Sequence, residues 1–252
     1  MIVAVGSWRG VGATTTALLV ATCMAATDAD GAWLLEADPA GGVLAGRMDV
    51  PEHILGGLER VAFPSERIGL TEAFAAAAHD VGGLRVVLGP ADPFRAFSCH
   101  QPRIPWAPAL RDLPGSVVVD VGTLRSGSPA WPLLAQADLV LLVSSPEVSS
   151  AVAAAEWLHA AGRVSPSDPG LLDSSARILF VDSPAGVAMA KNTLLADLGE
   201  QCAGWLPWEP PTVDLVHRGA PVTDRRLRRS SLMGAVNQMV VHMSNSAEGA
   251  TR

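Results

Sequence analysis

Met1-Ile-Val-Ala-Val-Gly6-Ser-Trp-Arg-Gly10-Val-Gly12-Ala-Thr14-Thr-Thr16 is the stretch whose reading decides the fold. Ile2 to Val5 are four apolar residues of buried-strand character. Gly6, Gly10 and Gly12 then free the backbone to turn its N–H groups inward, and a helix starts among the threonines. A helix N-terminus aims about half a positive charge at the point the glycines surround, so the pattern is an anion cradle. The ordinary phosphate-loop motif G-x-x-x-x-G-K-[ST] needs a lysine before its hydroxyl residue. Here Gly12 is followed by Ala13, so the match breaks at its charged position.

The loop resembles the deviant Walker A of the MinD/ParA family, K-G-G-x-G-K-[TS]-T, with Trp8-Arg9-Gly10-Val11-Gly12-Ala13-Thr14-Thr15 in its place. In that family the first lysine reaches across a nucleotide-sandwich dimer and the second holds the β- and γ-phosphates. Trp8 and Ala13 replace them. The chain has 17 arginines and a single lysine, Lys191, so drift from lysine to arginine would have left a cation at 13. Arg9 is the nearby cation that can stand in. The resemblance implies Mg²⁺ and ATP or ADP as cofactors, bound weakly or not at all, with Gly10 to Thr15 forming the nucleotide loop and the Thr14 hydroxyl on Mg²⁺.

Two more landmarks follow at the ends of apolar strands. Ala32-Trp-Leu-Leu-Glu36 runs into Ala37-Asp38-Pro39-Ala40-Gly41-Gly42, similar to the family's D-x-D-P-x-G-G switch. The resemblance gives Asp38 the role of orienting the attacking water and leaves Glu36, in place of the first acid, to reach Mg²⁺ through water. Ser116-Val-Val-Val-Asp120-Val-Gly122 places a carboxylate where open α/β sheets bind ligands, and it resembles a Walker B strand with Asp120 on Mg²⁺. Ala176 to Val181 is another strand. Relatives end it with an asparagine that reads adenine, whereas here Asp182 follows, an acceptor only when ionised. Cys202 to Leu206, then Pro207-Trp208-Glu209, resembles the last strand and the loop that wraps the base, so Asp182, Pro207 and Glu209 join the nucleotide set.

These landmarks imply a single doubly wound, mostly parallel α/β sheet flanked by helices, of the P-loop NTPase type, over residues 1–243, with a disordered tail at 244–252. Hydrophobic residues make up 49% of the 252 and charged residues 17%, which suits a sheet buried on both faces. Between landmarks, helices are expected over Thr14–Thr27, over Thr71–His79 with Thr71 as N-cap, and over Val148–Ala161. Irregular chain is expected over 46–69, 94–108 and 162–175, the second carrying a cluster of aromatics.

A net charge of −7 argues against nucleic-acid or anionic-membrane binding by the whole surface. Cys23, Cys99 and Cys202 have no metal spacing and sit in apolar stretches, which points to buried thiols in a cytoplasmic setting. The apolar run before Gly6 is too short for a leader peptide, and no segment reaches a membrane-spanning length.

A last helix is expected over Arg225–Met243, with Leu232, Val236, Met239, Val240 and Met243 on one stripe and Arg225, Arg226, Arg228 and Arg229 at its start. The stripe either docks on the sheet or meets a membrane surface, and the arginines either lie solvated or meet DNA or lipid.

Losing the phosphate lysine should weaken triphosphate binding by about one to two decades, and hydrolysis by more. The first reading is therefore a degenerate MinD/ParA-like positioning or assembly factor. It acts through protein partners, and atypical relatives of Flp/Tad-type pilus or secretion machinery are the analogy. An active ATPase using Arg9, in a homodimer, is the second. An adaptor for DNA or a membrane surface is the third.

Overall fold

The structure, a computed structural model, describes residues 1–48, 50, 57–64, 68–101, 104–125, 127–161, 176–183 and 189–250, the side chains of 244–250 excepted. Its strands are β1 (Ile2–Ser7), β2 (Ala32–Glu36), β3 (His79–Val81), β4 (Leu84–Val87), β5 (Ser116–Thr123), β6 (Leu139–Ser144), β7 (Ala176–Val181) and β8 (Cys202–Leu206). The helices are α1 (Ala13–Thr27), α2 (Leu44–Arg47), α3 (Gly57–Ala62), α4 (Leu70–Ala77), α5 (Pro93–Ser98), α6 (Trp131–Leu134), α7 (Val148–Ala161), α8 (Lys191–Leu198), α9 (Pro210–His217), α10 (Arg225–Arg229) and α11 (Ser231–Ala250).

The strands form one sheet in the order β3-β4-β2-β5-β1-β6-β7-β8. Every pairing is parallel except the β3–β4 hairpin at one edge. Burial on both faces explains why the strands read as continuous apolar runs. Along β1, Ile2 and Ala4 enter one core cluster while Val3 and Val5 enter the other, the period of two that a strand imposes. One face is packed with Trp33, Phe74, Trp106 and Trp157, and the other with α1 and α11. Helix α1 lies between sheet and outer helices, against β5, β2 and β1 below and α11 and α9 above. That sandwich is why its sequence is small and apolar all round rather than striped.

Several boundaries differ from expectation. Helix α4 starts one residue early, with Gly69 rather than Thr71 as N-cap, and stops at Ala77 so that His79 can open β3. Part of 46–69 is helical, as α3, and 94–108 is divided between α5 and a 3₁₀ turn over Ala107–Asp112. Asp92 starts α5, its Oδ1 accepting from the N–H groups of Phe94 and Arg95 at 2.8 and 3.1 Å. The aromatics of that stretch separate: Phe94 is 83% exposed, while Trp106 and His100 are buried.

The expected last helix is two. Ser230 is extended, and its Oγ accepts from the N–H of Met233 at 3.0 Å, so α10 ends and α11 begins there. The stripe from Leu232 to Met243 is buried against α1 and β8. Arg225, Arg226, Arg228 and Arg229 lie exposed on α10, with Arg226 paired to Asp224. The boundary expected at 243 falls inside α11, and the loop expected over 162–175 lies outside the described residues. Cys23 and Cys99 are buried thiols and Cys202 is half-buried. Among the described residues no helix is long and apolar enough to cross a membrane.

Candidate functional site

The loop between β1 and α1 is shaped by its glycines. Gly10 and Gly12 hold φ of +69° and +99°, the left-handed region that a side chain disfavours. A Cβ at either would meet nothing within 4 Å, so conformation, not crowding, demands glycine there, and the space in front of the loop is open. Ser7 Oγ accepts from the Gly10 N–H at 3.0 Å and closes the turn, a role the sequence reading missed. The two positions that lack lysine have apolar roles. Trp8 packs against one core cluster, and Ala13 is buried as the first residue of α1.

Behind the loop stands an acid group. Asp120 is paired in register with Val5 of β1 and Glu36 of β2, at the centre of the sheet. The register then slips so that Gly6 faces Gly122, a bulge that re-aims the chain beside the site. Asp120 Oδ1 accepts from the Gly122 N–H at 3.0 Å, and the Thr14 side chain lies close enough to the carboxyl to draw its pKa down. Its Oδ2 is buried without a protein partner. Burial pushes the Asp120 carboxyl up to about 7, with Glu36 and Asp38 adding to the shift and Thr14 and Gly122 opposing it.

Asp38 folds over Gly122, whose φ is +62° and where a Cβ would overlap the Asp38 carboxyl. Burial raises the Asp38 carboxyl above the usual range, while a bond from the Ala40 N–H and the nearby His100 draw it down. His100, which the sequence left as an unassigned loop residue, lies between two backbone carbonyls, with Nδ1 2.9 Å from Ala96 O and Nε2 3.0 Å from Ala37 O. It ties the segment before Asp38 to α5.

Glu36 is engaged elsewhere. Its Oε1 accepts from the N–H groups of Val43 and Leu44 at 2.5 and 2.7 Å, and its Oε2 from the Gly89 N–H at 3.0 Å. Both oxygens are therefore committed to backbone donors, and the side chain joins the start of α2 to the chain leaving β4. Gly42 and Gly89 press so closely on Glu36 that a Cβ at either would lie within 2.6 Å of it.

The open side of the loop faces a cavity of about 1080 Å³. Arg9, Val11, Gly12 and Thr15 meet Asp182, Pro207 and Glu209 across it, so the structure gathers those residues of the expected nucleotide set. Gly10, Ala13, Thr14, Asp38 and Asp120 are not part of its wall. Asp182 Oδ1 accepts from Trp205 Nε1 at 2.5 Å, which fixes it to β8. Glu209 Oε2 accepts from Ser231 Oγ and the Leu232 N–H at 2.8 and 2.7 Å and so caps α11. Burial works to raise the Glu209 carboxyl, but the bonds from Leu232, Ser231 and Thr212 prevail and hold it low. With Glu147 and Asp214 also in the wall, this end is acidic, against Arg9 on the loop side.

Two further residues went unread in the sequence. His217, from α9, places Nε2 3.1 Å from Thr15 Oγ1, and Arg47 of α2 places Nη1 3.2 Å from that same nitrogen. No local motif marks either, because they come together from segments 170 residues apart.

The residues fit Mg²⁺ in part: Thr14 lies close to the Asp120 carboxyl, whose orphaned Oδ2 offers a lone pair. Among the described residues no three His, Cys, Asp or Glu side chains form a metal-holding group, so water would complete such a site.

No protein-family model and no curated protein matches the sequence. Solved structures do match along nearly the whole chain. The ParA family ATPase from Chlorobium tepidum superposes with a TM-score of 0.76 at 14% identity, covering 96% of this chain and 98% of that one. The septum site-determining protein MinD from Pyrococcus horikoshii, complexed with Mg-ADP, gives 0.72 at 13%, covering 98% and 96%. MinD in the MinC:MinD cell division complex of Aquifex aeolicus gives 0.68 at 18%, covering 97% and 95%. The fold is that of the MinD and ParA ATPases.

Proposed function

We propose that this chain is a catalytically degenerate counterpart of the MinD/ParA ATPases, a positioning or assembly factor that works through protein partners, with weak nucleotide binding and little or no hydrolysis. The observation that carries the reading is the pairing of an open glycine loop with two apolar residues, Trp8 and Ala13, where the family's cations belong. A MinD of this fold is found complexed with Mg-ADP and another with MinC, which supports both a residual nucleotide pocket and a protein partner. When bound, Mg²⁺ would supply positive charge to phosphate oxygens, and Thr14 and Asp120 are the residues to hold it. Asp38 would orient water, held in place by the Ala40 N–H. A role beside pilus or secretion machinery, and a cytoplasmic or peripheral membrane location, belong to this proposal by analogy alone.

A second reading has its own observation. Arg9 is exposed and lines the cavity, which supports a contact with a nucleotide in its own chain or in a second copy. The adaptor reading would use the exposed arginines of α10, with the apolar stripe of α11 already buried.

Calorimetric titration of ATP and ADP with Mg²⁺, run on the wild type, Arg9→Ala and Ala13→Lys, tests the proposal. Weak or undetectable wild-type binding and a gain of about tenfold or more in Ala13→Lys are expected. Tight ATP binding with turnover that disappears in Arg9→Ala would overturn it in favour of the second reading.

A further inference from the structure

The loop lacks a lysine, yet a cation stands near it from outside the motif. Glu36 fixes the first N–H groups of α2, and Leu44 is fully buried beside α1, so this short helix is held firmly. Arg47 at its end directs Nη1 to His217 Nε2 at 3.2 Å. That nitrogen also faces Thr15 Oγ1 at 3.1 Å, and Thr15 lies in the first turn of α1, where the helix dipole favours an anion.

The trio converges donors on one acceptor nitrogen at the mouth of the loop, an arrangement suited to an anion. A guanidinium has no acceptor, so the His217 nitrogen facing Arg47 is the one with the lone pair, and the ring proton sits on Nδ1. One in-plane lone pair then serves two donors, Arg47 and the Thr15 hydroxyl. Arg47 is exposed, so its other N–H groups face solution and can turn to a second acceptor. An anionic oxygen at the loop would take donors from both. The charges facing the trio are Arg9 on the loop and Asp214 on α9, the latter paired with Arg218.

We propose that Arg47, aimed by His217 and acting with Thr15, is a phosphate-binding residue of this chain, supplying from α2 the positive charge that the loop lost at Ala13. The ligand is a phosphate-bearing anion, either a nucleotide or free pyrophosphate. The inference deepens the residual-pocket part of the proposed function and rests on it. Arg47 is the binding group and His217 a positioning residue. A bidentate guanidinium reads a phosphate more specifically than an ammonium does, so Arg47→Lys should be only a partial substitute.

The experiment is calorimetry of Mg-ADP and, separately, of pyrophosphate at low salt, against the full chain and its variants. Arg47→Ala should weaken binding by roughly ten- to hundredfold, as expected for loss of a charged hydrogen bond, and Arg47→Lys by less. His217→Ala should weaken it several-fold and His217→Gln, which keeps an acceptor, should restore part of the loss. Arg111→Ala is the control, since Arg111 pairs with Asp138 at the opposite end of β1 and removes the same charge. Weakening for both probes assigns the site to phosphate in general, and weakening for Mg-ADP alone assigns it to nucleotide. Equal affinity in wild type and Arg47→Ala, an equal loss in Arg111→Ala, or no wild-type binding of either probe overturns the inference. The last of these leaves the protein-contact reading intact, whereas that reading fails separately, on ATP turnover.

Discussion

The two sides of the glycine loop differ in chemistry. On the buried side Asp120 accepts from the Gly122 N–H, Asp38 folds over Gly122 and Thr14 lies close to the Asp120 carboxyl. On the open side the cavity wall holds Glu147, Asp182, Glu209 and Asp214 against Arg9, a poor charge balance for a triphosphate. The difference teaches which parts of a site the fold itself retains. Asp120 sits among paired strands and Glu36 holds three backbone N–H groups, so changing either disturbs the sheet and its connections. A lysine at position 13 would serve only the ligand, and nothing in the packing around Ala13 demands it.

The largest effect expected from this contrast is a pH dependence. Burial pushes the Asp120 carboxyl up to about 7 from its ordinary value of 3.8, so between these the folded chain binds more protons than the unfolded chain. Its contribution to stability is therefore fully present below the unfolded value and is lost as pH rises through 7, on the order of 4 kcal/mol in all. Chemical denaturation at pH 5 and pH 8 should show Asp120→Asn flattening this slope. Added Mg²⁺ should stabilise the wild type more at pH 8 than at pH 5. An unchanged slope in the Asn variant would remove Asp120 as its source.

Next in size is Gly122→Ala. The new Cβ would overlap the Asp38 carboxyl in a left-handed backbone, at a cost of about 2 to 4 kcal/mol, read from the denaturation midpoint. A neutral result would show Asp38 free to leave Gly122 and would loosen the picture of a preformed buried side. On the open side, Glu209→Ala should cost about 1 kcal/mol through the lost cap of α11. If stability is unchanged and nucleotide affinity rises instead, Glu209 acts in the cavity mainly as an unwanted charge. The smallest effect belongs to the exposed arginines of α10. Replacing Arg225, Arg228 and Arg229 by Gln should each change stability by less than about 0.5 kcal/mol, so any loss of lipid or DNA binding in them would report on the adaptor reading directly.

Runs such as Val117-Val-Val119 and Leu139 to Val143 could be read as central strands because burial on both faces leaves a continuous apolar signal. The edge strand β3 could not, since His79-Asp-Val81 is short and partly exposed and exists through its pairing with β4. Thr71 looked like a cap, but the helix takes Gly69. Asp224 and Ser230 were both present as cap residues, yet a long apolar stripe hid the break between α10 and α11. In the site, Gly10, Gly12, Thr14 and Asp120 were legible because each carries a local pattern, a glycine turn, a helix start or an acid after an apolar run, although β5 continues past Asp120 to Thr123 rather than ending there. Ser7, His100, Arg47 and His217 were not, because their partners are set by how the chain folds back or closes on itself.

The sequence by itself determined an α/β chain with a glycine loop after its first strand, acids at two strand ends and no lysine where phosphate would be held. Those are properties of single segments, governed by local backbone freedom and apolar patterning. Only the tertiary structure decided that Glu36 ties loops together rather than reaching toward a metal through water, that the stripe of α11 is covered, and that an arginine from α2 meets the histidine facing Thr15. Each depends on distant segments meeting, and the hydrophobic burial that brings them together does not specify which polar side chains meet at the edge of the core.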